Sequence, residues 1–235
     1  MNHRKILGVI GGMGPQATQC FYQDIIDNTI ASNDQEHIDM VIINHASMPD
    51  RTQAILSGNT EAVFNRLSGD VRKLIDFGVD YIAMPCNTSH YFIDKLKQQN
   101  HIEFIDMIEE TAKEIKRRNI SKVGLMATNG TVTSRIYETK MKKFGIEVVL
   151  PSKDRQTDVM KIIYDQIKAG NPPCVKTFDD ISKELKSLGA QAIVLGCTEL
   201  SYYSELYELG SFFIDAQKVL VRKSIELCGG RLVDI

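Results

Sequence analysis

Short, nearly continuous apolar runs alternate along this chain with longer amphipathic stretches, and that alternation constrains the fold most. The runs are ILGVIGG (6–12), DMVIINH (39–45), DYIAMPC (80–86), EFID (103–106), KVGLMAT (122–128), IEVVLPS (146–152), AIVLGCT (192–198) and FFID (212–215). Helix-like stretches lie between them at 16–31, 59–77, 107–118, 131–143, 155–169, 177–188 and 216–228. A strand apolar on both sides must be covered on both faces, which is the condition of parallel strands packed between helices. Strands alternating with helices therefore predict an α/β fold.

A repeat doubles this prediction. LIDFGVDYIAMPCNT (74–88) aligns without a gap on LKSLGAQAIVLGCTE (185–199). Each copy ends a helix at glycine, Gly78 or Gly189, where a C-cap takes the left-handed conformation. A cysteine follows eight residues after each glycine, Cys86 and Cys197. LGVIGGMGPQAT (7–18) likewise matches VGLMATNGTVTS (123–134) as strand, loop and helix start. The spacing is 78 residues from Gly8 to Cys86 and 73 from Gly124 to Cys197. Two similar α/β halves follow, each with a parallel sheet. Ligands of open α/β sheets bind beyond the carboxyl ends of the strands. Halves facing each other about a pseudo-twofold axis would bring both thiols to one interdomain cleft. The expected division is residues 1–101 with 206–235 as the Cys86 half, its C-terminal helix packing back, and 102–205 as the Cys197 half.

Composition narrows the function. A net charge of −2 over 235 residues gives no electrostatic basis for binding nucleic acid or an acidic membrane. No apolar run approaches the roughly 20 residues of a membrane span. The opening MNHRKILGVIGGMG is read as a first strand and glycine loop, not a secretory leader. Five widely spaced cysteines without C-x-x-C argue against a disulfide framework or zinc site, and free thiols suit a reducing cytoplasm.

GMGPQA (12–17) fits the dinucleotide pattern G-x-G-x-x-A. The second strand, however, ends at Asn44-His45 with no acidic residue to hold a ribose. Pro15 suits the first turn of a helix, whose free N–H groups could hold a small carboxylate equally well.

Two facing thiols could form a disulfide, hold a metal with His90 as the one nearby ligand, or move protons. The last has a definite logic. One thiolate removes a proton from one face of a carbon acid, and the opposite thiol protonates the other face, inverting the centre without a cofactor. A thiol pKa must fall for this, and helix N-termini lower it. Asn87-Thr88 and Thr198-Glu199 offer donors for a carboxylate and a developing carbanion.

At this point the chain resembles a family, the cofactor-independent aspartate/glutamate racemases, in particular the aspartate racemase branch. The resemblance spans essentially the whole chain. It rests on GVIGGMGPQAT (8–18), NDQEH (33–37), MPDRT (48–52), MPCNTSH (84–90), ATNGTV (127–132), IKAG (167–170) and LGCTEL (195–200). It implies a two-domain α/β fold and a homodimer, with an amino acid as substrate and no cofactor. It implies Cys86 and Cys197 as the two bases, Cys197 acting on the L and Cys86 on the D enantiomer. Met13, Asn87, Thr88, Thr128, Thr131 and Thr198 would surround the α-carboxylate and amine, with Glu199 beside them. Arg51 and Lys168 would hold a distal carboxylate, which suits aspartate; a guanidinium grips a carboxylate with two hydrogen bonds. Glutamate racemases carry His where Glu199 stands, so no imidazole there can help activate Cys197.

Other readings compete. The chain could be an amino-acid binding or sensing module, or a related isomerase or decarboxylase. Arg51 follows Pro49-Asp50 and reads as a loop residue, and Lys168 sits near a helix end. His37 and His45 read as structural ends of the second strand, and Asp215 as the cap of the last helix. VTSRIYETKMKKFG reads as one helix with a solvated charged face, and Cys20, Cys174 and Cys228 as incidental.

Overall fold

A computed structural model of the chain describes residues 4–233. The first half runs β1 (Ile6–Gly11), α1 (Pro15–Asp27), β2 (Asp39–Asn44), α2 (Arg51–Ser57), α3 (Glu61–Asp76), β3 (Tyr81–Ala83), α4 (Ile93–Gln99), β4 (Glu103–Ile105) and α5 (Met107–Arg117). The second runs β5 (Lys122–Ala127), α6 (Asn129–Ser134), α7 (Ile136–Lys143), β6 (Glu147–Val149) and α8 (Lys153–Met160). It continues through α9 (Val175–Ser187), β7 (Ala192–Gly196), α10 (Thr198–Leu206), β8 (Phe213–Asp215) and α11 (Ala216–Leu227). A wide-turn π segment, Lys161–Lys168, extends α8.

The strands form two parallel four-stranded sheets, ordered β2-β1-β3-β4 and β6-β5-β7-β8. The register repeats as well as the order. Gly8 pairs with Ile82 in the first sheet, and Gly124 with Ile193 in the second. Both glycines make room for the helix that leads into the paired strand. A Cβ on Gly8 would lie 3.1 Å from Leu74, and one on Gly124 would lie 3.0 Å from Leu185. Leu74 and Leu185 are the aligned first residues of the repeat. Gly78 and Gly189 close α3 and α9 at positive φ, 77° and 86°, as their C-cap reading requires.

Successive strand residues face opposite layers. Ile10, Ile82 and Met84 meet α3 and α4 on one face of the first sheet, while Leu7, Val9, Ala83 and Ile105 meet α1 and α11 on the other. Met126, Ile193 and Leu195 face α9 and α10, and Val123, Leu125 and Val194 face α5 and α7. Each half therefore lends one helix. After β4 the chain sends α5 to the second sheet, and after β8 it sends α11 to the first.

This corrects the division drawn from sequence. A boundary at 101/102 detaches β4 from β3, its partner in the first sheet, and one at 205/206 detaches β8 from β7 in the second. Strand pairing keeps each fourth strand with its own sheet; the crossing comes one element later.

Three local readings also change. Arg51 is the first residue of α2, because Asp50 caps that helix by accepting from the Gln53 N–H at 2.7 Å. The segment read as one helix over 131–143 breaks at Arg135, with φ +55°. Its charges are not all solvated: Lys140 is buried and forms an ion pair with Asp106, the cap of α5. Burial alone would raise the Asp106 pKa, but the Lys140 and Lys97 ammonium groups outweigh it and hold the carboxyl far below its ordinary range. Asp215 caps α11 through the N–H groups of Gln217 and Lys218. Among the described residues no helix is long and apolar enough to cross a membrane.

Candidate active site

The carboxyl ends of both sheets converge on one small cleft. Cys86 and Cys197 both line it, one from each half. Cys197 directly follows β7 and occupies the N-cap of α10, its carbonyl accepting from Leu200 N–H at 2.9 Å. Cys86 is set by a tight turn over Pro85, its N–H donating to the Met84 carbonyl at 2.7 Å. The His90 ring fixes that turn from behind. Its Nδ1 lies 2.9 Å from the Cys86 carbonyl oxygen, and its Nε2 accepts from the Met107 N–H at 3.1 Å. The ring is thus the neutral tautomer with the proton on Nδ1, and burial keeps its pKa low.

The two thiols have unlike neighbours. The Ser89 hydroxyl lies 3.1 Å from Cys86 Sγ. Arg51 also faces Cys86: burial disfavours the guanidinium charge, but Cys86 and Asp50 outweigh it, so the Arg51 pKa is raised. Cys197 Sγ instead donates to Glu199 Oε2 at 2.8 Å. The other oxygen, Oε1, takes the Lys168 ammonium at 2.5 Å. Burial pushes the Cys197 thiol well above its ordinary range, Glu199 adds to that, and Lys168 opposes it. A helix N-terminus alone predicts the reverse shift. Burial and an adjacent carboxylate win because the carboxylate is in direct contact, whereas the helix end supplies about half a charge.

Thr88, Thr128 and Thr131 bridge the halves as a triangle of hydroxyls 3.0 to 3.2 Å apart. Asn87 accepts from the Tyr137 hydroxyl at 2.5 Å. Two buried donors in the cleft lining, Asn87 Nδ2 and Arg51 Nε, have no hydrogen-bond partner among the described residues. An unsatisfied buried donor costs about 1–3 kcal/mol, so the fold maintains here a polar surface that a bound anion would complete.

The family described as Asp/Glu/hydantoin racemase matches residues 10–223. The chain belongs to that family. Broad specificity amino-acid racemase RacX of Bacillus subtilis is 27% identical over 226 residues, covering 94% of this chain and 96% of that protein. The Picrophilus torridus aspartate racemase structure superposes with a TM-score of 0.81 at 31% identity, covering 97% of this chain and 96% of that one. An aspartate racemase homologue from Pyrococcus horikoshii gives 0.76 at 25%, covering 96% and 99%. Glutamate racemase from Francisella tularensis, at 20% identity and a TM-score of 0.64 over 97% of this chain and 81% of that one, shares the fold. The chain is thus an enzyme, a racemase.

The residues singled out from sequence can now be placed in this racemase. Met13, Arg51, Asn87, Thr88, Thr128, Lys168, Thr198 and Glu199 join the two cysteines in the cleft lining. Thr131 stands behind it, holding the hydroxyls of Thr88 and Thr128. Lys168 and Arg51 are not both open to a ligand's distal end. Lys168 is engaged by Glu199, and the Arg51 terminal nitrogens bond the carbonyls of Met13, Met48 and Pro49. Three lining residues escape sequence reasoning: Asp50, Thr52 and Tyr164. Asp50 and Thr52 flank Arg51 in MPDRT and carry a signal as its neighbours. Tyr164 lies in an amphipathic stretch with no local mark; it reaches the cleft from the π segment.

Proposed function

We propose that this racemase interconverts L- and D-aspartate by a two-base thiol mechanism. One observation carries the reading: two cysteines at equivalent strand ends line one small cleft from opposite halves. A racemase needs an acid and a base on opposite faces of the α-carbon, and a pseudo-symmetric pair supplies them. Cys197 abstracts from the L enantiomer and Cys86 from the D enantiomer, each returned proton coming from the other sulfur. Asn87, Thr88, Thr128 and Thr198 receive the α-carboxylate and amine. Arg51 and Lys168 supply the positive charge that selects an acidic side chain. The protein works without a bound cofactor and as a homodimer.

The test is incubation with L-aspartate in D2O without added cofactor, following α-deuterium and chirality together. The expected result is exchange accompanied by D-aspartate. Absence of both, with glutamate and neutral amino acids also inert, overturns the reading. Faster turnover of neutral amino acids than of aspartate would retain the thiol pair and remove the aspartate assignment.

A further inference from the structure

The least explained contact in the cleft is the double engagement of Glu199. One carboxylate oxygen accepts the Cys197 S–H at 2.8 Å, and the other holds Lys168 at 2.5 Å. Glu199 is buried, at 6% exposure, so the pair has little solvent to replace either partner. Around it stand Cys86, Arg51 and Asp50 from the first half, and Tyr164 and Tyr137 from the second. Among these the carboxylate in direct contact with Cys197 is the acceptor best placed for its proton.

We propose that Glu199 is the internal acceptor that converts the two thiols into a thiol–thiolate pair, and that an acidic substrate triggers the transfer by drawing Lys168 away. This rests on the racemase reading above. With Lys168 in contact, the Glu199 carboxylate is held charged and the proton stays on sulfur. The distal carboxylate of a dicarboxylic substrate competes for the same ammonium. Once Lys168 turns to it, Glu199 loses its counter-ion and its proton affinity rises. The Cys197 S–H bond then breaks, its proton goes to Glu199 Oε2, and the electron pair stays on sulfur. Cys197 thiolate takes the α-proton, and the Cys86 thiol donates its own to the opposite face. The site is left with Cys86 thiolate, Cys197 thiol and protonated Glu199, which is the arrangement the reverse direction needs. Starting from the D enantiomer, the Cys197 proton passes to Glu199 and the Cys86 proton passes to the Cys197 sulfur, so the same parked proton leaves Cys86 thiolate with Cys197 thiol, and no outside base is consumed. Glu199 acts through Cys197 and is a positioning residue for its proton.

A monocarboxylic amino acid leaves the Lys168–Glu199 pair intact. The device thus links substrate class to thiol activation, which a lone Lys168 acting only as a binding charge would not do.

The experiment has two arms. First, ultraviolet thiolate absorbance is recorded while succinate, a dicarboxylate lacking the amino group, is titrated into wild-type protein, with propionate as control. The signal is expected to rise with succinate and not with propionate, and to vanish in Cys197→Ser and in Glu199→Gln. Second, racemisation is measured across pH. Glu199→Gln is expected to cut kcat about 100-fold near neutral pH in both directions. Its rate should recover as pH climbs towards the thiol range, and Glu199→His, which restores an acceptor, should regain part of the loss. An unchanged kcat and pH profile in Glu199→Gln overturns the proposal, as does a succinate signal that survives that substitution. The succinate arm on wild-type protein does not depend on how any variant folds. A succinate response without racemisation sinks the activity reading and keeps Glu199; racemisation without the response sinks Glu199 alone.

Discussion

The Tyr164 hydroxyl of one half donates to the Asp50 carboxylate of the other at 3.1 Å. Burial pushes the Tyr164 phenol up to about 12, Thr52 lowers it and Asp50 raises it, so it remains a donor at any physiological pH. Asp50 is also the cap of α2, the helix that begins with Arg51. The bond therefore ties the second half to the element that carries a proposed substrate cation.

Replacing Tyr164 by Phe should loosen the cleft without emptying it. A hydrogen bond to a charged group is worth about 1.5–3 kcal/mol when enclosed, and this one is only partly buried. A loss of about 1 kcal/mol and about 2–4 °C in Tm is expected, with KM rising more than kcat falls. Calorimetry and steady-state kinetics on the same variant check both; an unchanged KM would remove Tyr164 from the cleft's support.

Gly130 tests the other closure of the halves. A Cβ there would lie 2.8 Å from the Thr52 Cα, which is backbone and cannot swing aside. Gly130→Ala should wedge α6 away from α2 and carry Arg51 and Thr52 with it. Misplacement by about 1 Å can cost about 100-fold, so kcat/KM should fall roughly ten- to hundredfold while the fold survives. A variant with wild-type kinetics would show that α2 is placed by something other than this contact.

The chemistry predicts a paired effect. Cys86→Ser and Cys197→Ser should each lower racemisation by at least about 1,000-fold, the upper range for losing a positioned acid or base. Either variant turning over near the wild-type rate rejects the two-base scheme. Arg51→Ala should reduce kcat/KM for aspartate far more than for alanine, measured by chiral chromatography; equal losses refute its role in selecting acidic side chains.

A pH dependence follows from Asp24 on α1. Burial raises its pKa to about 7, helped by Glu205 and Asp215 and opposed by Gln217 and Lys218. A carboxyl raised in the folded state stabilises the fold while protonated, and that contribution is lost as pH climbs from about 4 through 7. Asp24→Asn keeps the shape and removes the titration. Unfolding free energies from urea titrations at about pH 5 and pH 8 should therefore differ less in the variant than in wild type, by an amount on the order of a few kcal/mol. Identical pH slopes would contradict the assignment.

Much of the cleft is legible in the sequence, and the reason is local. Cys86 and Cys197 sit at a fixed distance from a helix-ending glycine in two aligned segments, so rules of capping and strand burial place each thiol at a strand end. Arg51, and Asn87, Thr88, Thr198 and Glu199 beside the thiols, stand at or near the starts of the helical segments that follow these strands. The residues that sequence misjudges owe their roles to distant partners. Lys140 reads as part of a solvated face because its carboxylate, Asp106, is 34 residues away. Cys197 reads as a thiol activated by a helix end, but the direction of its shift depends on burial and on how the Glu199 side chain folds back.

The sequence by itself determined two parallel α/β halves and the pairing of the two cysteines, because periodicity, glycine caps and repeat register are local properties of the chain, and its motifs carried the family resemblance. Only the tertiary structure decided the crossing of α5 and α11, the entry of Tyr164 into the cleft, and the sharing of Glu199 between a thiol and a lysine. Those depend on which surfaces bury one another, and Coulomb and desolvation energies are set by separations in space that no spacing along the chain records.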